Sequence, residues 1–227
     1  MSARVGLQLY TVRDALARDP EGTLMTVADL GYDGVELFGD FEDAALLEEL
    51  GLVVAGRHIG LDADLAGSTG RVALAWIDPV ETIEERDAAI ERIVAFGERA
   101  RSAGLQFGFH NHWSEVRRFD DGASLLDLLP EWIWLELDLG WVWQAGESPL
   151  ELLERAHGRT PLVHLKDFRA RGTHEFVPVG DGAVGYEAIV PKAVELGVEW
   201  LIVEQDELDR PLADALERSL AAVKVAA

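Results

Sequence analysis

Four helix-like stretches of this 227-residue chain end at a glycine that stands just before a short apolar run: Leu30-Gly31, Leu50-Gly51, Ala103-Gly104 and Leu196-Gly197. Glycine there supplies the left-handed backbone that closes a helix. A closed helix followed at once by a strand implies a parallel sheet, because parallel neighbours need a crossover between them. Eight runs read as strands covered on both faces: Val5–Tyr10, Gly34–Phe38, Val53–Ile59, Arg71–Ile77, Gln106–Asn111, Trp134–Gly140, Leu162–Asp167 and Leu201–Asp206. Helical segments fall at Glu21–Leu30, Asp43–Leu50, Thr82–Ala103, Ser124–Leu129, Pro149–His157, Tyr186–Leu196 and Pro211–Val225.

Eight strand units in 227 residues fit an α/β chain folded as a small (β/α)8 TIM barrel, one domain over residues 1–227. One crossover helix is shortened or missing, because Gly60–Gly70 between strands three and four is short and rich in glycine. A doubly wound open sheet is the alternative. Its first strand-to-helix turn would be Tyr10-Thr11-Val12-Arg13, which lacks the glycines of a nucleotide-binding turn.

Strands buried on both faces should be apolar throughout, so the polar side chains inside these runs are the informative ones. Alternation puts Gln8 with Tyr10, Glu36 with Phe38, Gly56 with His58, His110 with His112, Glu136 with Asp138, His164 with Lys166, and Glu204 with Asp206. In a barrel one choice of face sends all of them inward, near the C-terminal mouth where barrel active sites are built. Four of the six histidines and one of only three lysines sit at these strand ends. His110, Asp138, His164 and Glu204 suit one divalent ion of Mn, Mg, Zn, Fe or Co. The competing reading is that these groups only hydrogen-bond each other, which is costly for so many buried polar side chains.

Composition narrows the partners. Acids outnumber bases 42 to 20, a net charge of −22, which disfavours nucleic acid and anionic membrane surfaces. With no cysteine there are no disulfides, thiolate metal sites or cysteine nucleophiles. No apolar run approaches the ~20 residues of a spanning helix. MSARVGLQLY lacks a signal-peptide core, so a cytoplasmic location is expected. A homodimer is compatible with everything in the sequence.

The segments VGLQLYTVRDAL, GYDGVELFG, FGFHNHWSEV, LELDLGWVWQAGESP, PLVHLKDF, FVPVGDGAVGYEAIV and LIVEQDE resemble the xylose isomerase-like TIM-barrel superfamily. This is the sugar phosphate isomerase/epimerase group, with inosose dehydratases, hydroxypyruvate isomerases and ketose 3-epimerases. The resemblance implies a metal bound by residues that end strands five to eight, here His110, Asp138, His164 and Glu204. The epimerase branch has a glutamate where this chain has His110, and its two metal-ligating glutamates exchange the proton on opposite faces of the substrate. Only Glu204 matches that pair. Glu36, His58, His112 and Glu115 are the candidates for the second acid/base.

The expected activity is metal-dependent proton transfer next to a carbonyl of a sugar or cyclitol, through an enediolate: isomerisation or epimerisation. The alternatives are dehydration or lyase chemistry from the same enediolate, and a sugar-binding barrel without catalysis. Expected catalytic residues are Glu204, Lys166, Glu36 and His58, with Lys166 a fixed charge for an oxyanion. The competing reading of Lys166 is a plain ion pair with Asp167, Glu136 or Asp206. Gln8, His112, Glu115, Trp113 and Trp141 are expected to touch substrate, the tryptophans by stacking on a sugar ring.

Overall fold

The computed structural model describes residues 3–39, 41, 43–66 and 68–227. Seven parallel strands come first: β1 (Arg4–Gln8), β2 (Gly34–Leu37), β3 (Val53–Ile59), β4 (Arg71–Leu74), β5 (Gln106–His110), β6 (Trp134–Asp138) and β7 (Leu162–Leu165). A small hairpin of β8 (Asp167–Phe168) and β9 (Phe176–Val177) precedes β10 (Trp200–Val203). β10 pairs with both β7 and β1 and closes an eight-stranded parallel barrel.

The helices are α1 (Arg13–Leu16), α2 (Pro20–Leu30), α3 (Ala44–Glu49), α4 (Ile83–Ser102), α5 (Trp113–Val116), α6 (Leu125–Leu128), α7 (Leu139–Gln144), α8 (Pro149–Arg155), α9 (Tyr186–Glu195) and α10 (Leu212–Ala226). Their starts follow local chemistry. Asp19 caps α2 with Pro20 at its first position, and Thr82 with Glu85 forms a capping box on α4. Gly31, Gly51, Gly104 and Gly197 all take positive φ, between 70° and 92°. The helix-closing glycines are therefore as the sequence requires.

Among the described residues no helix joins β3 to β4. A register shift between β2 and β3 makes Ala55 the extra residue, and Val53 and Val54 are left 44% and 45% exposed on the uncovered flank.

Several strands are shorter than the apolar runs suggest. β6 stops at Asp138, not Gly140, because the Asp138 carboxylate accepts from Trp141 N and starts α7. β5 stops at His110, and the turn after it is capped at His112 by Glu115. β10 ends at Val203, so Glu204 and Asp206 stand beyond the strand and not inside it.

Inside the barrel, Ala55, Leu162, Trp200 and Ile202 form an apolar floor against which Trp134 packs. Room for the indoles comes from glycine. A Cβ on Gly108 would collide with the Trp134 ring. Above this floor the inward positions turn polar.

Candidate active site

Inward positions on the strands, with Lys166 just past β7 and Glu204 just past β10, bring Glu36, His58, His110, Glu136, Asp138, His164, Lys166 and Glu204 into one cluster; all but His58 are nearly or fully buried. Two imidazoles sit at its centre and face two ways. His164 Nδ1 lies 2.8 Å from Glu204 Oε2, and its Nε2 lies 2.6 Å from Glu36 Oε2. His110 Nδ1 lies 3.2 Å from Glu136 Oε2, and its Nε2 lies 4.0 Å from Asp138 Oδ2.

On the Glu204 side, Lys166 Nζ stands 2.9 Å from Asp206, 3.1 Å from Glu204 and 3.5 Å from Asp138. On the other side His58 Nε2 meets Glu136 at 2.6 Å and Glu36 at 3.3 Å.

The surrounding loops are fixed by hydrogen bonds to backbone. Asn111 accepts from Asp138 N and donates to Asp138 O, which pins the end of β6 beside β5. Asp167 accepts from the N–H groups of Gly180, Gly182 and Val184 and so ties the loop after β9 to the residue next to Lys166. The Tyr186 hydroxyl donates to Lys166 O and accepts from Lys166 N.

Burial works against every charge here, and the partners decide which groups stay ionised. Burial alone would raise Glu36, but the imidazoliums of His58 and His164 hold it down at about 2. Burial and the charge on Glu36 lift Glu136 to about 7. Burial raises Asp138 to about 6, against the opposing pull of Lys166. Glu204 is held far below the usual carboxylate range, since Lys166 and His164 outweigh its burial. Burial opposes protonation of His164, yet Glu136, Glu36 and Glu204 together raise it well above the usual imidazole value. Burial pushes His110 well down and His112 down to about 3, helped by the positive groups nearby.

Two overlapping sets of side chains have ligand atoms within 4.8 Å of one another: His110, Asp138, His164 and Glu204, and His58, His110, Glu136 and His164. The first set fits a divalent ion on the structure's own terms. Asp138 Oδ1 is taken by the cap of α7, while Oδ2 is buried without a hydrogen bond, and the nearest cation to it is the Lys166 ammonium at 3.5 Å. A buried carboxylate oxygen held only by so long an ion pair is one that a closer cation would satisfy. Two imidazoles and two carboxylates suit Mn, Zn, Fe or Co.

The expected substrate contacts divide. His112 packs edge-on to Trp76 (4.8 Å between ring centroids) and near Trp141 (5.8 Å), and Trp113 lies 5.4 Å from Trp141. Trp113 is 38% exposed, whereas Trp141 is almost buried, with Lys166 Nζ 5.4 Å from its ring centroid. Gln8 and Glu115 are both engaged within the protein. Gln8 donates to Glu36 and accepts from Tyr10 N, and Glu115 accepts from His112 N and Ser114 Oγ. Lys166 pairs with Asp206, as one sequence alternative had it, and not with Glu136 or Asp167.

An open cleft of about 1160 Å³ runs from Tyr10, Phe38, His58 and Trp76 down the flank where the crossover helix is absent, past Val54 and Arg71. It reaches the charged cluster at His58. The sequence offers Glu136 only as an ion-pair partner of Lys166, and offers no role for Trp76. Alternation did put Glu136 on the inward face, but nothing in the sequence singles out Trp76.

The sequence model of one family, described as xylose isomerase-like TIM barrel, matches residues 42–224. The chain belongs to that family. An inosose dehydratase of Bacillus cereus (strain AH820) is 29% identical to this xylose isomerase-like barrel over 165 residues, 64% of this chain and 55% of that protein. An inosose dehydratase of Clostridium perfringens (strain 13 / Type A) is 27% identical over 159 residues, 62% and 54% of the two chains. The chain spans about half the length of the curated relatives it matches. A sugar phosphate isomerase/epimerase from Parabacteroides distasonis ATCC 8503 superposes with a TM-score of 0.79 at 21% identity, covering 97% of this chain and 93% of that one. At that identity the likeness is one of fold. Among the described residues no helix of this xylose isomerase-like barrel is long and apolar enough to cross a membrane.

Proposed function

We propose that this chain is a divalent-metal-dependent isomerase or epimerase that moves a proton at the carbon next to a carbonyl of a sugar or cyclitol. One observation carries the reading: His110, Asp138, His164 and Glu204 converge at the barrel mouth with the Lys166 ammonium 3.1 Å from Glu204. His110, Asp138, His164 and Glu204 would hold the ion, which when bound supplies Lewis-acid chemistry at a carbonyl oxygen.

The chain's own residues move the proton. The Glu204 carboxylate takes it from the carbon beside the carbonyl, and the bonding pair becomes the C=C of an enediolate. Lys166 offers fixed positive charge to the enediolate oxygen. Reprotonation at the neighbouring carbon, with the hydroxyl proton passed from one enediolate oxygen to the other, completes isomerisation, and reprotonation of the original carbon on the opposite face completes epimerisation. His58, which lines the cleft, is the second proton carrier, with Glu36 behind it at 3.3 Å. His112 and Trp113, both packed on the nearly buried Trp141, form the aromatic wall that receives the sugar ring. The substrate is a small molecule met in the cytoplasm, all of residues 1–227 make one barrel domain, and solution mass decides whether the chain forms a homodimer.

Dehydration is the second reading, favoured by the curated relatives named inosose dehydratase. The same enediolate then expels a β-hydroxyl, which takes the proton held on Glu204 and leaves as water. Incubation of inosose and keto-sugars in D2O separates the outcomes. Isomerisation or epimerisation washes deuterium into a recovered sugar, while dehydration gives a product lighter by one water. Glu204→Gln should stop both with its circular dichroism unchanged. Normal turnover in that variant would refute the assignment.

A further inference from the structure

The two central histidines each use one nitrogen on the Glu204 side and the other on the Glu136 side. Asp138 and Glu204 present oxygens to His110 Nε2 and His164 Nδ1. Glu36 and Glu136 present theirs to the opposite nitrogens, His164 Nε2 at 2.6 Å and His110 Nδ1 at 3.2 Å. Both of these carboxylates are wholly buried. Each is itself anchored: Gln8 Nε2 donates to Glu36 Oε2 at 2.8 Å, and His58 Nε2 lies 2.6 Å from Glu136 Oε2. Gln8 in turn accepts from Tyr10 N, so the chain of contacts runs from backbone to Gln8 to Glu36 to His164.

A histidine that ligates a metal through one nitrogen needs its other N–H held, because this fixes the tautomer, the ring plane and the basicity of the ligating atom. We propose that Glu36 and Glu136 are positioning residues of the metal centre. Glu36 holds the Nε2–H of His164 so that Nδ1 is offered to the ion, and Glu136 holds the Nδ1–H of His110 so that Nε2 is offered. The ion then belongs to the His110, Asp138, His164, Glu204 set. The second set, His58, His110, Glu136 and His164, is its support and not a competing site. This inference rests on the metal reading above and adds which side of each imidazole the ion meets.

Co²⁺ is the probe. Chelator-treated wild-type protein, Glu36→Gln, Glu136→Gln, Gln8→Ala and, for comparison, Glu204→Gln are titrated calorimetrically and by the visible absorption of the bound ion. Each glutamate variant should weaken Co²⁺ binding by about 10–100-fold with one ion per chain retained, the usual effect of removing such a partner. The visible bands should shift in both. Gln8→Ala, one contact further out, should weaken binding less and tests the idea even if a glutamate variant does not fold. Unchanged affinity and spectrum in Glu36→Gln, Glu136→Gln and Gln8→Ala would overturn the proposal. So would a pattern in which Glu136→Gln loses the ion outright while Glu204→Gln keeps it, since the ion would then lie in the other set. A wild-type protein that takes up no Co²⁺ is a different failure: it removes the metal reading itself, and this inference with it.

Discussion

Lys166→Met tests the electrostatic account of the cluster. The ammonium is 2% exposed and stands 2.9–3.5 Å from three carboxylates. At 3 Å each unit-charge pair is worth about 5 kcal/mol with an effective dielectric constant near 20, before the cost of desolvation and of repulsion among the acids is subtracted. Methionine keeps most of the volume and removes the charge, leaving Asp138, Glu204 and Asp206 without their common cation. Breaking one side of a buried ion pair costs about 3–5 kcal/mol. For a chain of this length 1 kcal/mol moves the melting temperature by about 2–4 °C, so a fall of roughly 6–20 °C is expected in chelator-treated protein. Urea denaturation gives the free energy directly. Lys166→Met combined with Glu204→Gln should recover part of the loss, because one of the stranded charges is gone. A Lys166→Met protein within about 1 kcal/mol of wild type, well below the cost of a broken buried pair, would show that the carboxylates are not held ionised by this lysine and would refute the reasoning.

Other expectations follow from packing and backbone satisfaction. Gly108→Ala forces a methyl into the Trp134 ring and should cost about 1–3 kcal/mol in urea; a neutral result would mean the barrel floor is looser than described. Asp167→Ala strands the N–H groups of Gly180, Gly182 and Val184 and should cost about 3 kcal/mol or more, with the loop after β9 losing hydrogen-exchange protection; retained protection would contradict this. Val54→Thr on the uncovered flank of β3 should change stability by no more than about 0.5 kcal/mol. Leu135→Ala, buried on the outer face of β6, should cost about 2–5 kcal/mol. Equal effects at the two sites would argue that the flank is covered after all.

The barrel was legible because its signals are local. A glycine closing a helix before an apolar run, repeated four times, specifies parallel strands, and period-2 alternation names the inward face. The same alternation gathered His58, His110, Asp138, His164, Lys166 and Glu204 without any contiguous motif. Depth was not legible. Glu136 and Asp138 share a face, but only the stagger of neighbouring strands decides which one meets His110 Nδ1 and which caps α7. Strand ends were also hidden. His112 and Glu115 read as substrate contacts or as candidates for the second acid/base, while the structure uses Glu115 to cap the turn after β5. Gln8 reads as a substrate contact, yet both ends of its amide are engaged within the protein, one of them on a residue far off in sequence, Glu36. Contacts of that kind depend on barrel closure, and one strand's pattern does not carry them.

The central claim is that His110, Asp138, His164 and Glu204 hold one divalent ion at the barrel mouth. Metal analysis of the purified protein, with calorimetric titration of the chelator-treated form by Mn²⁺, tests it most directly beside a His164→Ala, Glu204→Ala double variant. About one ion per chain is expected in the wild type, with a rise in melting temperature on adding Mn²⁺, and neither in the variant. A wild-type protein with no bound metal and no thermal response to Mn²⁺ would contradict it.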